Sequence, residues 1–116
     1  MTGYIQVITT TEKKDDARRI ARALVEARLG GCVHVIGPVA STYWWRDRIE
    51  TTEEWLCVIK SSRDRYVALE KAIRDIHPYE VPEIIAVPVA RGSRSYLNWL
   101  GKTLRARRTK RRTANT

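Results

Sequence analysis

The order of elements in this chain predicts an α+β, ferredoxin-like fold: β-α-β-β-α-β plus a C-terminal helix, with an antiparallel sheet and both main helices on one face. Three observations carry that expectation. A β-branched stretch over residues 4–10 runs into an apolar stripe of helical period. Two long strand-like runs, 32–45 and 49–60, then follow each other across a short turn. A second amphipathic helix leads, through a proline-bounded ribbon, into a short apolar run at 84–89. At 116 residues the chain is long enough for one core and not for two.

Tyr4-Ile5-Gln6-Val7-Ile8-Thr9-Thr10 has the composition of a first strand. Glu12, Asp15 and Asp16 then crowd a helix start, where the dipole favours acids. Ala17, Ile20, Ala21, Leu24, Val25 and Arg28 trace one helical face, and Gly30-Gly31 is expected to stop the helix. Residues 32–45 form a strand interrupted at Gly37-Pro38, a pair that reads as a bulge or a bend. Arg46-Asp47-Arg48 turns the chain, and residues 49–60 return. Strands of this length outreach a core of this size. The hairpin is expected to project beyond its own domain, leaving Tyr43, Trp44, Trp45 and Trp55 for another subunit to cover. Ser61 or Ser62 reads as the cap of a second helix carrying Tyr66, Leu69, Ile73 and Ile76. Ile84-Ile85-Ala86-Val87 reads as a buried strand. Ser93 or Ser95 opens a third helix with Tyr96, Leu97, Leu100 and Leu104, weakened at Gly101 by about 1 kcal/mol relative to Ala.

Apolar residues make up 43% of the chain and charged residues 30%, which excludes a disordered protein. No apolar run approaches the roughly 20 residues of a membrane-spanning helix. The sequence passes from Met1 straight into a strand pattern, so the cytoplasm is the expected compartment. Cys32 and Cys57 are then expected as reduced thiols. The net charge is +9, of which residues 105–116 supply +6, leaving +3 for residues 1–104. The expected organisation is a folded domain over 1–104 and a basic disordered tail over 105–116, with nucleic acid bound only non-specifically through that tail. No nucleophile elbow, metalloprotease helix or phosphate-cradling glycine loop occurs, so neither an enzyme nor an organic cofactor is expected.

The chemistry gathers in His77-Pro78-Tyr79-Glu80-Val81-Pro82-Glu83-Ile84. Each proline fixes its own φ and pushes the preceding residue toward extended conformations, so the polar groups ride on a stiff ribbon. His77 is either a hydrogen-bonded linchpin of that ribbon or, with Glu80 or Glu83, part of a mixed nitrogen and oxygen metal site completed by a neighbouring subunit. Cys32 and His34, two apart on a strand, project to one face and offer a thiolate and an imidazole to a metal. Two ligands fall short of the four that structural zinc takes.

Five segments resemble the CutA divalent-cation tolerance proteins: Ser41-Thr42-Tyr43-Trp44-Trp45, Glu54, Ile59-Lys60-Ser61, the His77–Ile84 ribbon, and Tyr96-Leu97-Asn98-Trp99. The likeness spans about residues 4–104. It implies a ferredoxin-like protomer in a tight homotrimer that looks like the PII signalling trimers. It also implies a role in tolerance of copper and other divalent metals, with no established reaction. Cu(II) or another divalent cation, weakly bound, is the implied cofactor. His77, Glu83, Cys32 and His34 are the candidate metal ligands. The resemblance places Ser41, Tyr43, Trp45, Glu54, Lys60, Tyr79, Glu80, Tyr96 and Trp99 at the subunit cleft or interface. There they serve either as a network that registers the trimer or as the wall of a PII-like metabolite site. The sequence departs from the family pattern in places. Relatives implicated in copper binding carry a cysteine and a second histidine where this chain has Thr9 and Ile76. The hairpin turn has Asp47 where a glycine is common, and Gly30-Gly31-Cys32-Val33-His34 introduces an additional histidine.

Overall fold

The computed structural model describes residues 2–106. Its elements are β1 (Tyr4–Thr11), α1 (Lys14–Glu26), β2 (Cys32–Trp45), β3 (Arg48–Ser62), a 3-10 turn (Arg63–Arg65), α2 (Tyr66–Ile76), β4 (Ile85–Pro88) and α3 (Arg94–Arg105). The four strands pair antiparallel in the order β2-β3-β1-β4, the split β-α-β arrangement expected from the element order. The tail expectation falls almost wholly outside the described residues. Arg105, the last residue of α3, and Ala106, its C-cap, are the exceptions.

The core follows from strand alternation. Ile5, Val7, Thr9 and Thr11 of β1 stand opposite Ser61, Ile59, Cys57 and Trp55 of β3, and all eight share the face that α1 and α2 cover. Ala17, Ile20 and Leu24 of α1 and Leu69 and Ile73 of α2 close that face with no exposed surface. Each fully buried aliphatic side chain there contributes about 1.5–3 kcal/mol. Of the residues of opposite parity, Ile8, Leu56, Val58, Ile36, Ile85 and Val87 line the other face and are left half-buried or exposed. Val25, expected on the buried stripe of α1, is exposed.

The helix stop differs from expectation. α1 ends four residues before the glycine pair, and Arg28 takes the left-handed conformation (φ 61°) while Leu29 and Gly30 donate to the Leu24 carbonyl at 3.0 and 3.2 Å. The cost of a non-glycine residue there, about 1–2 kcal/mol, is offset in part by Arg28 Nη1, which donates to the Thr103 carbonyl of α3 at 3.1 Å. Gly30 and Gly31 are needed for space instead: a β-carbon at Gly30 would lie 2.8 Å from Ile59 Cγ2, and one at Gly31 would collide with Leu100.

Two further expectations are corrected. Neither Ser61 nor Ser62 caps α2. Both belong to β3, where the buried Ser61 hydroxyl donates to the Leu29 carbonyl at 2.7 Å and the Ser62 hydroxyl donates to Asp64. The 3-10 turn separates them from the helix. β4 is not buried either. It is a sheet edge paired only with β1, and all four of its residues are exposed. Ser93 does cap α3, accepting from the Tyr96 amide at 3.2 Å.

The β2–β3 hairpin is the outlying feature. β1 supports β3 only as far as Thr11↔Trp55, so from Val39↔Glu54 outward the two strands pair with each other alone. The expected bulge falls between Ile36 and Val39, across a cis Gly37-Pro38 bond. Arg46 and Asp47 form the two-residue loop, both with positive φ (52° and 63°), the geometry of a type I′ turn. The ribbon carries large apolar groups into solvent, with Trp44 70% and Ile49 63% exposed.

Asp47→Gly is expected to raise stability by about 0.5–1 kcal/mol, since glycine removes the left-handed penalty at a modest entropic cost. Gly30→Ala is expected to lower it by about 1–3 kcal/mol through overpacking against Ile59. Urea unfolding midpoints of the two variants test both signs.

Candidate functional site

The proline-bounded ribbon meets the sheet where the hairpin leaves it. Pro78 forces His77 out of helical conformation (φ −74°, ψ 134°), which ends α2 and turns the imidazole toward β1. Its Nε2 lies 2.8 Å from the Thr10 carbonyl, and its Nδ1 accepts from the Tyr79 amide at 3.1 Å. A carbonyl only accepts, so Nε2 carries the proton and donates. Both ring nitrogens are thereby engaged, and no lone pair faces outward. The rings of His77 and Tyr79 meet at 4.8 Å between centroids, tilted by 56°. The Tyr79 hydroxyl then donates to Glu54 Oε2 at 2.6 Å. Glu54, on β3 opposite Val39, is buried. A continuous chain of bonds therefore runs from the end of β1, through the end of α2 and the ribbon, to the base of the hairpin.

Burial dominates the electrostatics of this chain. It holds the His77 ring below the ordinary histidine range, against the opposing pull of the Thr10 carbonyl, Asp16 and Glu54. It lifts the Tyr79 phenol well above its ordinary value, reinforced by the hydrogen bond and charge of Glu54. Both groups are neutral at pH 7, and Tyr79 is held as a donor. Beside them, Lys14 Nζ lies over the Trp55 ring, 5.1 Å from its centroid.

The remaining candidates fall in separate places. Among the described residues Glu80 pairs with Arg46 at the hairpin tip, 3.8 Å away with both side chains 76% exposed, an ion pair of little worth. Glu83 is exposed and joins no cluster. The Tyr43 hydroxyl meets Thr52 Oγ1 at 3.3 Å on the hairpin, near Ser41, which pairs with Thr52 in register. Trp45 lies under the Arg46 guanidinium, 5.3 Å to the ring centroid. A second group forms on the open sheet face. Cys32 Sγ and His34 Nε2 are 3.8 Å apart, Lys60 is the register partner of Cys32, and α3 presents the Tyr96–Trp99 pair at 5.5 Å. Among the described residues, no three His, Cys, Asp or Glu side chains converge on one point. Within one chain, His77 and Glu83 on the ribbon do not share a centre with Cys32 and His34.

Sequence reading missed the Thr10 carbonyl as the partner of His77, since a backbone acceptor 67 residues away leaves no residue-type signal. It also missed Lys14 over Trp55. The buried Thr9 hydroxyl, for which the structure shows no hydrogen-bond partner, was equally silent in the sequence.

Tyr79→Phe is expected to cost about 1.5–3 kcal/mol, the range for a hydrogen bond to a charged group, because Glu54 stays buried without its donor. A double-mutant cycle with Glu54→Gln in urea isolates that coupling. The depressed His77 pKa predicts an acid-side loss. Below the ordinary value of about 6.5 the unfolded chain takes up a proton that the native ring resists, so stability falls as pH drops from 7 toward 5. His77→Gln is expected to flatten that slope in pH-dependent denaturation.

The CutA1 divalent ion tolerance protein family model matches residues 5–103. The divalent-cation tolerance protein CutA of Thermus thermophilus is 39% identical over 94 residues, covering 81% of this chain and 91% of the relative. Protein CutA of Mus musculus is 45% identical over 104 residues, covering 85% of this chain but only 59% of the relative. Among solved structures, CutA from Xylella fastidiosa superposes with a TM-score of 0.86 at 34% identity, covering 89% of this chain and 99% of that one. The family's name and that of the Thermus relative describe tolerance of an ion and not a reaction. With the family model spanning nearly the whole described domain and the fold shared with its solved members, this chain belongs to the CutA divalent-cation tolerance family.

Proposed function

We propose that this protein acts in divalent-cation tolerance as a non-enzymatic homotrimer of the cytoplasm that holds copper(II), or another divalent ion, loosely. The observation that carries the assembly is the uncovered apolar surface. Ile36, Trp44, Ile49, Ile85, Val87 and Trp99 are all exposed in the single chain, on the open sheet face, the hairpin and α3. A two-stranded ribbon is marginal in water by itself, and a ring of copies, each hairpin covered by its neighbour, supplies the missing contacts. The loose metal reading is supported by the engaged nitrogens of His77 beside the solvent-facing carboxylates of Glu80 and Glu83. Open carboxylates take divalent ions weakly, and a closed site needs more convergent ligands.

A second reading rests on Tyr79, its bond to Glu54 and the nearby Tyr43, polar groups of the ribbon and the hairpin. Closed by a neighbouring subunit, such a cleft suits a small metabolite in the manner of a PII-like sensor. A metabolite that raises the melting temperature of the metal-free protein favours it.

The expected solution mass by light scattering is three times the 13.4 kDa chain. A monomer at micromolar concentration overturns the assembly. Calorimetric copper(II) titration is expected to give weak, saturable binding that falls in the Glu80→Gln/Glu83→Gln variant. No binding at millimolar copper(II), or binding indifferent to both carboxylates, overturns the metal reading.

A further inference from the structure

We infer that Cys32 and His34 form a two-ligand site for a monovalent soft cation, copper(I) or silver(I), on the open face of the sheet. Strand alternation puts both side chains on the face opposite α1 and α2. Their donor atoms, Sγ and Nε2, are already 3.8 Å apart. An ion bonded at about 2.3 Å to sulfur and about 2.0 Å to nitrogen spans that gap with an S–M–N angle of about 125°, wider than tetrahedral, and the donors need part by only about 0.5 Å to reach the linear geometry of a two-coordinate ion. The absence of a third His, Cys, Asp or Glu ligand among the described residues rules out a closed four-coordinate centre within one chain. Two-coordination is what d10 monovalent ions accept, and thiolate is the ligand type that selects copper(I).

Charge points the same way. On binding, the Cys32 thiol releases its proton to solvent, a sulfur–metal bond forms, and the neutral His34 ring donates its Nε2 lone pair, its proton resting on Nδ1. Thiolate plus monovalent ion plus neutral imidazole sums to zero, whereas a divalent ion leaves one positive charge. That charge would face Lys60, the register partner of Cys32, on a face also lined by Val58 and Ile36. A neutral complex is the less costly one to cover with another subunit. Cys57 does not compete: it is fully buried, its thiol donates to the Ala17 carbonyl at 3.4 Å, and burial raises it to about 11.

The site stands apart from the ribbon, so a failed copper(II) titration leaves it untouched, and its own failure leaves that reading untouched. The test uses the full reduced chain under anaerobic conditions. Copper(I) is delivered against a chromogenic copper(I) chelator, and silver(I) loading is read by native mass spectrometry. One ion per chain is expected for the native protein and for Cys57→Ser, none for Cys32→Ser, and at least tenfold weaker binding for His34→Asn. His34 is exposed, so His34→Asn keeps the test valid even where Cys32→Ser fails to fold. Unchanged affinity in His34→Asn would mean a lone thiol and overturns the site, as does stoichiometric loading that survives in Cys32→Ser.

Discussion

The bond pair made by His77 is the constraint on which the rest of the structure depends. One imidazole holds the Thr10 carbonyl at the end of β1 and the Tyr79 amide at the start of the ribbon, and Tyr79 passes the connection to Glu54. These contacts gather at the level where β1 stops supporting β3. They tie the base of the hairpin to the end of β1 and to the ribbon, in addition to the Lys14–Trp55 contact. The arrangement needs a neutral imidazole with one donor and one acceptor nitrogen, and burial, the largest influence on its pKa, keeps it so.

That bracing explains how the chain tolerates a hairpin out of proportion to its core. Among the described residues the ribbon beyond Glu54 has neither a third strand nor a helix beneath it, and Trp44 and Ile49 are turned to solvent. Its turn runs through two non-glycine residues in the left-handed region, so the local geometry carries strain. A ribbon of this kind holds its shape through a firm base and through whatever covers its sides. Exposed β4 at the sheet edge and the half-open second face make the same demand. The chain is thus sealed on one face, where α1 and α2 close the core, and open on the other.

The same asymmetry separates the two candidate clusters. The ribbon network is buried, satisfied and braced, which suits a structural role and leaves little free ligand capacity. Cys32 and His34 lie on the open face, close together and held by strand geometry, with ligand capacity unspent. Imidazoles only 43 residues apart in sequence thus have opposite chemical availability, a difference set by where each ring nitrogen finds its partner.

Much of this was legible in the residues themselves. Alternation and helical period are local, so the element order, the break at Gly37-Pro38 and a serine start to α3, at Ser93 or Ser95, could be read directly, and the element order in turn predicted the antiparallel sheet. The shared face of Cys32 and His34 needed only the two-residue period of a strand. Tertiary structure decided the rest, because those features depend on partners distant in sequence. β4 looked buried from its composition, but its place at the sheet edge exposes it. Gly30-Gly31 looked like a helix stop, yet the demand comes from Ile59 and Leu100 pressing on the backbone. Ser61 looked like a cap until Leu29 claimed its hydroxyl. His77 read as a ligand or, more readily, as a linchpin, and the Thr10 carbonyl, 67 residues away, together with the Tyr79 amide engages both its nitrogens.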